Sequence, residues 1–186
     1  VGPDVGGAAV RAFDQWNDLP LYVVGSTFGG APGLGNTCSN GGALSAIGVS
    51  YTVLNSDLSW NNATGNGANP QQPGTPGGGS GGAIYNDGNN FHLTVCGSAI
   101  HDNHANEGGG GIFFVSNNLT GTLTVDRSYI WNCPSDGFWT SPWPWLFYLG
   151  AGAPQMPGSV FDTPAPDFFC DGFATGDASV WSAIAP

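Results

Sequence analysis

The residues from Ser80 to Cys133 carry one pattern written twice, and a chain that repeats itself at this interval has few folds open to it. The first copy reads SGGAIYNDGNNFHLTVCGSAIHDNHANEG and the second GGGIFFVSNNLTGTLTVDRSYIWNC. Each is a Gly-Gly, an apolar run, a polar turn, a Leu-Thr-Val strand, a Ser two residues before an apolar residue, and an Asn-rich turn. Aligned on that Ser, Ser98 falls under Ser128, Val95 under Val125 and Ile100 under Ile130, a period of 30 residues. Units of this length made of short strands and Gly/Asn turns cannot bury their apolar faces singly, so they stack as solenoids.

The pattern extends outward. The Ser recurs at Ser26, Ser56, Ser98, Ser128 and, in worn form, Ser159, at intervals of 30, 42, 30 and 31 residues. The long interval holds a Pro/Gly/Asn insertion over 62–80, expected as a loop on one face. The Gly-Gly element recurs at Gly6-Gly7-Ala8, Gly41-Gly42-Ala43, Gly81-Gly82-Ala83 and Gly110-Gly111-Ile112. Leu21, Val23 and Phe28 correspond to Tyr51, Val53 and Leu58, then Leu93, Val95 and Ile100, then Leu123, Val125 and Ile130. Alternation with period 2 in each run is the β pattern, and like residues stack over like at about 4.8 Å per coil. Asn61 and Asn103, each five residues after a Ser, read as a stacked Asn ladder inside a turn, with Cys133 in the same slot of the next coil.

These motifs (GGAI, LTV-x-x-S and the Asn turn) resemble the right-handed parallel β-helix proteins of the pectate-lyase-like class. More narrowly they are similar to secreted and cell-surface proteins with GGAI-type repeats, such as the polymorphic outer-membrane proteins. The resemblance covers about residues 6–161 and concerns architecture rather than activity. It implies an all-β fold: one domain over 1–186, a single-stranded right-handed parallel β-helix of four to five coils. An irregular aromatic segment at 138–186 ends it.

Composition bounds the partners. Gly 32 and Pro 14 make about a quarter of the chain, near the disordered range, but their periodic placement marks ordered turns. The net charge is −11, with two Arg, no Lys and a single Glu, Glu107. Nucleic acid and anionic lipid are excluded as partners, because almost no cation is present to meet a phosphate. No apolar run reaches the roughly 18 residues of a membrane span. The chain opens on Val1-Gly2-Pro3-Asp4 with no visible signal peptide, so a targeting segment is expected to have been removed or to lie upstream. Cys38, Cys96, Cys133 and Cys170 lack zinc-site spacing. In a Lys-free, Asn/Gly/Ser/Thr-rich chain they point to export, to the extracellular space or cell surface, with one or two disulfides. The alternative is small buried thiols.

No cofactor is implied. His101 and His104, with His92 nearby, lack a completing Cys or Glu and point to different faces of a strand and turn. Asn86, Asp87 and Asn89 form a weak calcium candidate without the later bidentate acid. The glycines of 77–82 resemble a phosphate cradle but precede no helix. For polysaccharide cleavage, Asp126 with Arg127 is the conceivable pair. Asp57, Asp102, Asp126 and Asp162 sit at different offsets from their Ser and are not expected to share a patch. Thr52, Thr94 and Thr124 align as an ice-binding rank would, but Tyr22 interrupts them.

The two ends depart from the repeat. The first coil starts within six residues of Val1 with no capping element in view, and an open coil edge is a template for another chain. Residues 138–149, FWTSPWPWLFYL, are too aromatic for a narrow core already filled by Val, Leu and Ile. Phe138, Trp139, Trp143, Trp145, Phe147 and Tyr148 are therefore expected outside the coil stack, as a cap, a subunit interface or a glycan platform. Together these features point to a non-enzymatic exported structural protein that associates with itself, head to tail. Polysaccharide binding or cleavage is the alternative, and a piece of a longer surface protein is a third reading.

Overall fold

The computed structural model describes residues 6–13, 21–65 and 77–163. Within them the regular structure is all strand, and every pair of named strands is parallel. Strands are numbered in chain order. The first sheet holds β1 (Val10–Phe13), β5 (Leu44–Ile47), β9 (Ile84–Gly88), β13 (Ile112–Ser116) and β16 (Leu146–Leu149), neighbours in that order. The second holds β2 (Leu21–Val24), β6 (Tyr51–Leu54), β10 (His92–Cys96) and β14 (Thr122–Asp126). The third holds β3 (Thr27–Phe28), β7 (Asp57–Ser59), β11 (Ala99–His101), β15 (Tyr129–Trp131) and β17 (Val160–Phe161). A short fourth sheet holds β4 (Thr37–Cys38), β8 (Asn62–Ala63) and β12 (His104–Ala105). The chain visits the sheets in turn and then returns one strand further along each, an arrangement compatible with a parallel β-helix. No helix long and apolar enough to cross a membrane occurs among the described residues.

The register is that of the serine alignment. Leu21, Tyr51, Leu93 and Leu123 lie in one column, and Val23, Val53, Val95 and Val125 in the next. Phe28, Leu58, Ile100 and Ile130 form a third. Alternation decides burial: Leu93 and Val95 are buried while His92 is exposed and Thr94 is intermediate. The inward columns join Ile84, Ile112, Phe114 and Leu146 in one core. At about 25 cal/mol per Å2 of apolar surface removed from water, these columns supply the main driving force. Unpartnered polar groups interrupt the core. Asn86 is fully buried with neither amide atom partnered, and the Tyr51 hydroxyl is also buried without a partner.

The serines hold the rungs together. The Ser26 amide donates to Ser56 Oγ, Ser56 to Ser98, Ser98 to Ser128 and Ser128 to Ser159, each at 3.1 Å. Each of the first four hydroxyls then donates to the carbonyl two residues back, as Ser98 does to Cys96 at 3.0 Å. The residue before each Ser (Gly25, Asn55, Gly97, Arg127, Gly158) has φ between 41° and 63°, the left-handed corner that turns the chain from the second sheet into the third. One turn further on, Asn36 Nδ2 donates to Asn61 Oδ1 at 2.8 Å and Asn61 Nδ2 to Asn103 Oδ1 at 3.0 Å. Asn103 Nδ2 reaches Leu58 O at 2.7 Å and Cys133 Sγ at 3.6 Å.

Two sequence alignments are corrected. Ile84 pairs with Ile112 and Val10 with Leu44, so the left-handed slot is shared by Gly7, Gly41, Gly81 and Gly109, each one residue away from the sequence alignment in the first and fourth copies. The following Gly allows close approach: a Cβ on Gly82 would lie 2.1 Å from Gly110 O. In the fourth copy the slip arises because the turn between β13 and β14 is two residues longer than that between β9 and β10. The repeat also does not fade at residue 138. β16 pairs with β13 from Leu146 to Leu149 and β17 with β15, because the alternation of Leu146, Phe147, Tyr148 and Leu149 serves a rung as well as Val and Ile do.

Candidate functional site

The two ends of the stack are where the core is unfinished. The apolar residues that pack on the core yet stay partly exposed fall into two groups: Val10, Ala12, Leu21 and Phe28 on the first rung, and Trp143, Tyr148, Met156 and Phe161 on the last. β1, β2, β3 and β4 each stand at the end of their sheet, and among the described residues no strand pairs with their outer edges. An apolar cleft lined by Val10, Ala12, Leu21, Val23, Leu44 and Tyr51 lies at this end. Phe13, Tyr22 and Val24 beside it are each more than half exposed. At the other end Asn132, Cys133, Pro134, Pro144, Trp145 and Asp162 line a cleft of about 190 Å3. The indole N–H of Trp145 is buried without a partner.

The aromatic segment is not displaced from the stack, contrary to expectation. Trp145 is only 1% exposed and stacks on Phe161 at 5.1 Å, so it is a core residue rather than an interface residue. Tyr148 stacks on the buried Phe114 at 5.2 Å, and Trp143 packs against the same core. Phe147 faces outward and stacks on Phe113 at 5.1 Å, and Phe113 stacks on Tyr85 at 5.0 Å. Phe138, 40% exposed, meets Phe147 edge-on at 4.8 Å, and Trp139 is 51% exposed. Strand spacing is close to ring-stacking distance, so outward aromatics on neighbouring rungs cover one another's faces. Sugar stacking needs a free face, and the column offers edges.

A second outward cluster surrounds His101. Its Nδ1 lies 2.7 Å from Asp102 Oδ2 and its Nε2 3.3 Å from Asp57 Oδ2. Its ring stacks on Trp131 at 4.0 Å, and Trp131 stacks on Tyr129 at 5.0 Å. Ser59 donates to Asp57 at 2.6 Å, and Asn132 Nδ2 donates to Asp102. Burial alone would push His101 down, but the hydrogen bonds it donates to both carboxylates, and their charge, hold it above its ordinary value. Burial likewise opposes the charged form of Asp57, yet the His101 and Ser59 hydrogen bonds keep it below the usual carboxylate range. Asp57 and Asp102 thus do share a patch, contrary to their sequence offsets. The left-handed turn at Asp102 (φ 52°) accompanies the return of its carboxylate onto the preceding histidine, and Asp57 reaches that ring from the neighbouring rung. The order Ser–Asp–His–Asp is not a nucleophile relay: the carboxylate stands between hydroxyl and imidazole, and Ser59 is fully buried. The cluster ties three rungs together.

The other sequence candidates lie apart. Asp126 and Arg127 pair with each other at 3.1 Å. Asn86 points into the core while Asp87 faces out, receiving Asn117 at 3.0 Å and Tyr85 at 3.2 Å, and Asn89 is exposed in the turn beyond. Strand alternation therefore prevents the three from converging on calcium, and no metal-binding group of three occurs among the described residues. His92 meets Thr122 at 2.7 Å, and His104 meets Asp136 at 3.1 Å. The amides of Gly78, Gly79 and Ser80 are taken by Glu107 and Asn40, and those of Gly81 and Gly82 by the next rung, so they do not cradle a phosphate. Cys38 and Cys133 are buried thiols rather than halves of disulfides. Cys133 is held in the Asn ladder, where burial pushes its thiol up to about 12. Cys170 lies outside the described residues. Thr52, Thr94 and Thr124 share one column that continues to Tyr22.

No family model, no curated protein and no solved structure matches this chain.

Proposed function

We propose that the protein is a non-enzymatic, exported structural β-helix, right-handed and of four to five coils, that associates with copies of itself through its two ends. One observation carries this reading. The partly exposed core residues divide between the first and last rungs, whereas the rungs between are closed by ladders of Ser and Asn. An apolar solenoid end is favourable to cover, and the strand edges of the first rung, with which no described strand pairs, are a template for another chain. Contact between unlike ends does not close, so it extends into a filament.

Charge sets the conditions. At net −11 two copies repel, and salt screens that repulsion over about 10 Å at 0.1 M. Association through apolar ends therefore strengthens with added salt. Binding by charge would weaken. The face-to-face packing of the aromatic column favours this reading over a polysaccharide platform, because the rings present edges outward. The paired Asp126 and Arg127 likewise supply no facing carboxylates for hydrolysis.

Sedimentation velocity from low micromolar to near-millimolar protein, at low and high salt, tests the reading. The weight-average mass should rise with both concentration and salt. A mass fixed at the 19.0 kDa of one chain throughout would defeat it.

A further inference from the structure

We propose that Asn118 is an N-glycosylation site, its Nδ2 carrying an oligosaccharide in N-glycosidic linkage on the wall of the stack. This rests on the export in the reading above and adds to it a modification and its position.

The tripeptide that such a modification requires, Asn-X-Ser/Thr with X other than Pro, occurs twice in the sequence, as Asn62-Ala63-Thr64 and Asn118-Leu119-Thr120. In a chain rich in Asn and Thr the motif alone decides nothing, but the fold treats the two copies differently.

Asn118 lies in the turn between β13 and β14, two residues longer than the corresponding turn between β9 and β10, and residues 117–120 are all exposed. The base of this turn is fixed. Ser116 is fully buried, and its Oγ accepts from the Thr120 amide at 3.1 Å and the Gly121 amide at 2.9 Å. The Leu119 amide donates to Ser116 O at 2.9 Å, and Leu119 has φ 61°, a left-handed conformation unfavourable for a residue with a large side chain. That bend brings the ends of the tripeptide together. Thr120 Oγ1 donates to Asn118 Oδ1 at 2.7 Å, and the Thr120 amide reaches the same oxygen at 3.2 Å. A backbone amide can only donate, so the atom it meets is the side-chain oxygen. Nδ2 is therefore the atom left without a partner among the described residues, on an exposed side chain.

Two donors on Oδ1 draw electron density from the amide and make an Nδ2 proton easier to lose. In the transfer, Nδ2 bonds to the anomeric carbon of an oligosaccharide carried as a lipid-linked diphosphate. The bond from that carbon to the diphosphate oxygen breaks, the diphosphate leaves with the electron pair, and the Nδ2 proton passes to a base of the transferase. Thr120 is the positioning residue.

Asn62 has none of this. It stands in β8, paired with β4 on one side and β12 on the other. Its amide donates to Asn36 O at 2.8 Å, and its Oδ1 lies 3.2 Å from His104 Nδ1. The Thr64 hydroxyl donates to Cys38 O at 3.2 Å rather than to Asn62. The place of Asn118 also suits association through the ends. Its turn joins two walls of the stack, and the last rung continues past it, Ala151 donating to Gly121 O at 2.8 Å and Gln155 to Leu123 O at 2.9 Å. A bulky, hydrated glycan there hinders contact between walls and leaves the end residues uncovered.

Peptide mapping by mass spectrometry tests this on protein purified from its source, with the extracellular and cell-surface fractions kept apart from the cell interior. The peptide containing Asn118 should carry an oligosaccharide, placed on that side chain by fragmentation, and the peptide containing Asn62 should be unmodified. In the same source, Asn118→Gln and Thr120→Ala should abolish the added mass and Thr120→Ser should retain it, with circular dichroism unchanged in each. Exported protein with Asn118 unmodified, or with a glycan on Asn62 instead or as well, overturns the site and leaves export and association standing. Protein confined to the cell interior with Asn118 unmodified overturns export together with the site.

Discussion

Replacing Asn103 with Ala should cost much more than the same change at the more exposed end of its ladder. Asn103 is 1% exposed. Its Oδ1 accepts from the Asn61 amide at 2.9 Å and from Asn61 Nδ2 at 3.0 Å, and its Nδ2 donates to Leu58 O at 2.7 Å. Asn61 Nδ2 retains Phe28 O and Ser59 O as acceptors. The Leu58 carbonyl stays in the ladder between β7 and β11, where Ser59 pairs with His101, whereas the Asn61 amide loses its acceptor. A buried backbone amide left without a partner costs about 1–3 kcal/mol, and the side-chain bonds lost with it add about 1 kcal/mol, so about 3 kcal/mol is expected. That is a large share of the roughly 5–15 kcal/mol that holds a domain folded. Asn36→Ala is the comparison. Asn36 sits half-buried at the end of the ladder, and its backbone amide still donates to Asn61 Oδ1 at 3.0 Å after its side chain is gone, so about 1 kcal/mol is expected. Urea unfolding followed by circular dichroism, with the m-value unchanged between variants, measures both. A loss below about 1 kcal/mol for Asn103→Ala, or equal losses at the two positions, would refute the ladder as a source of stability.

Other outcomes follow from the same contacts. His101 is held above its ordinary value, so its contribution is fully present below the unfolded pKa of about 6.5 and is lost as pH rises through the folded value. Asp57, held low, contributes above its unfolded value and loses this as pH falls through the folded one. Stability should therefore peak between about 4 and 6.5, and His101→Gln should flatten the alkaline side in thermal melts; an unchanged profile would count against the cluster. Gly82→Ala would set a Cβ 2.1 Å from the Gly110 carbonyl, and backbone on both sides leaves little room to yield. A melting temperature lowered by several degrees is expected, about 2 kcal/mol or more, and an unaltered one would argue against the close rung. Alkylation of the denatured, unreduced protein should label two thiols, Cys38 and Cys133, and the native protein neither; four labels would exclude any disulfide.

The columns of the core were legible because strand alternation and the serine spacing are both local properties of the sequence. Ser26, Ser56, Ser98, Ser128 and Ser159 could be aligned without their reason being visible. That reason, an amide of one rung donating to the hydroxyl of the next, is a long-range bond. The Gly-Gly slots were misaligned by one residue because turn lengths differ between rungs, and spacing alone cannot say which turn has absorbed the extra residues. The last rung was misread for a different cause. Trp145, Phe147 and Tyr148 look too large for a narrow core, but the ends of a solenoid have no further rung to fit beneath. The Asp57–His101–Asp102 cluster was illegible from offsets, because two left-handed corners and a neighbouring rung decide where those side chains meet.

Amide hydrogen exchange, resolved by strand and repeated across protein concentration, addresses the end-to-end association most directly. At low concentration the amides on the outer edges of β2 and β3 and the amide of Phe161 in β17 should exchange fast. At high concentration those same strands, and not β9 or β10, should slow together. Exchange at the two ends that is independent of concentration would contradict it, whether slow, because the chain seals its own ends, or fast, because nothing docks there.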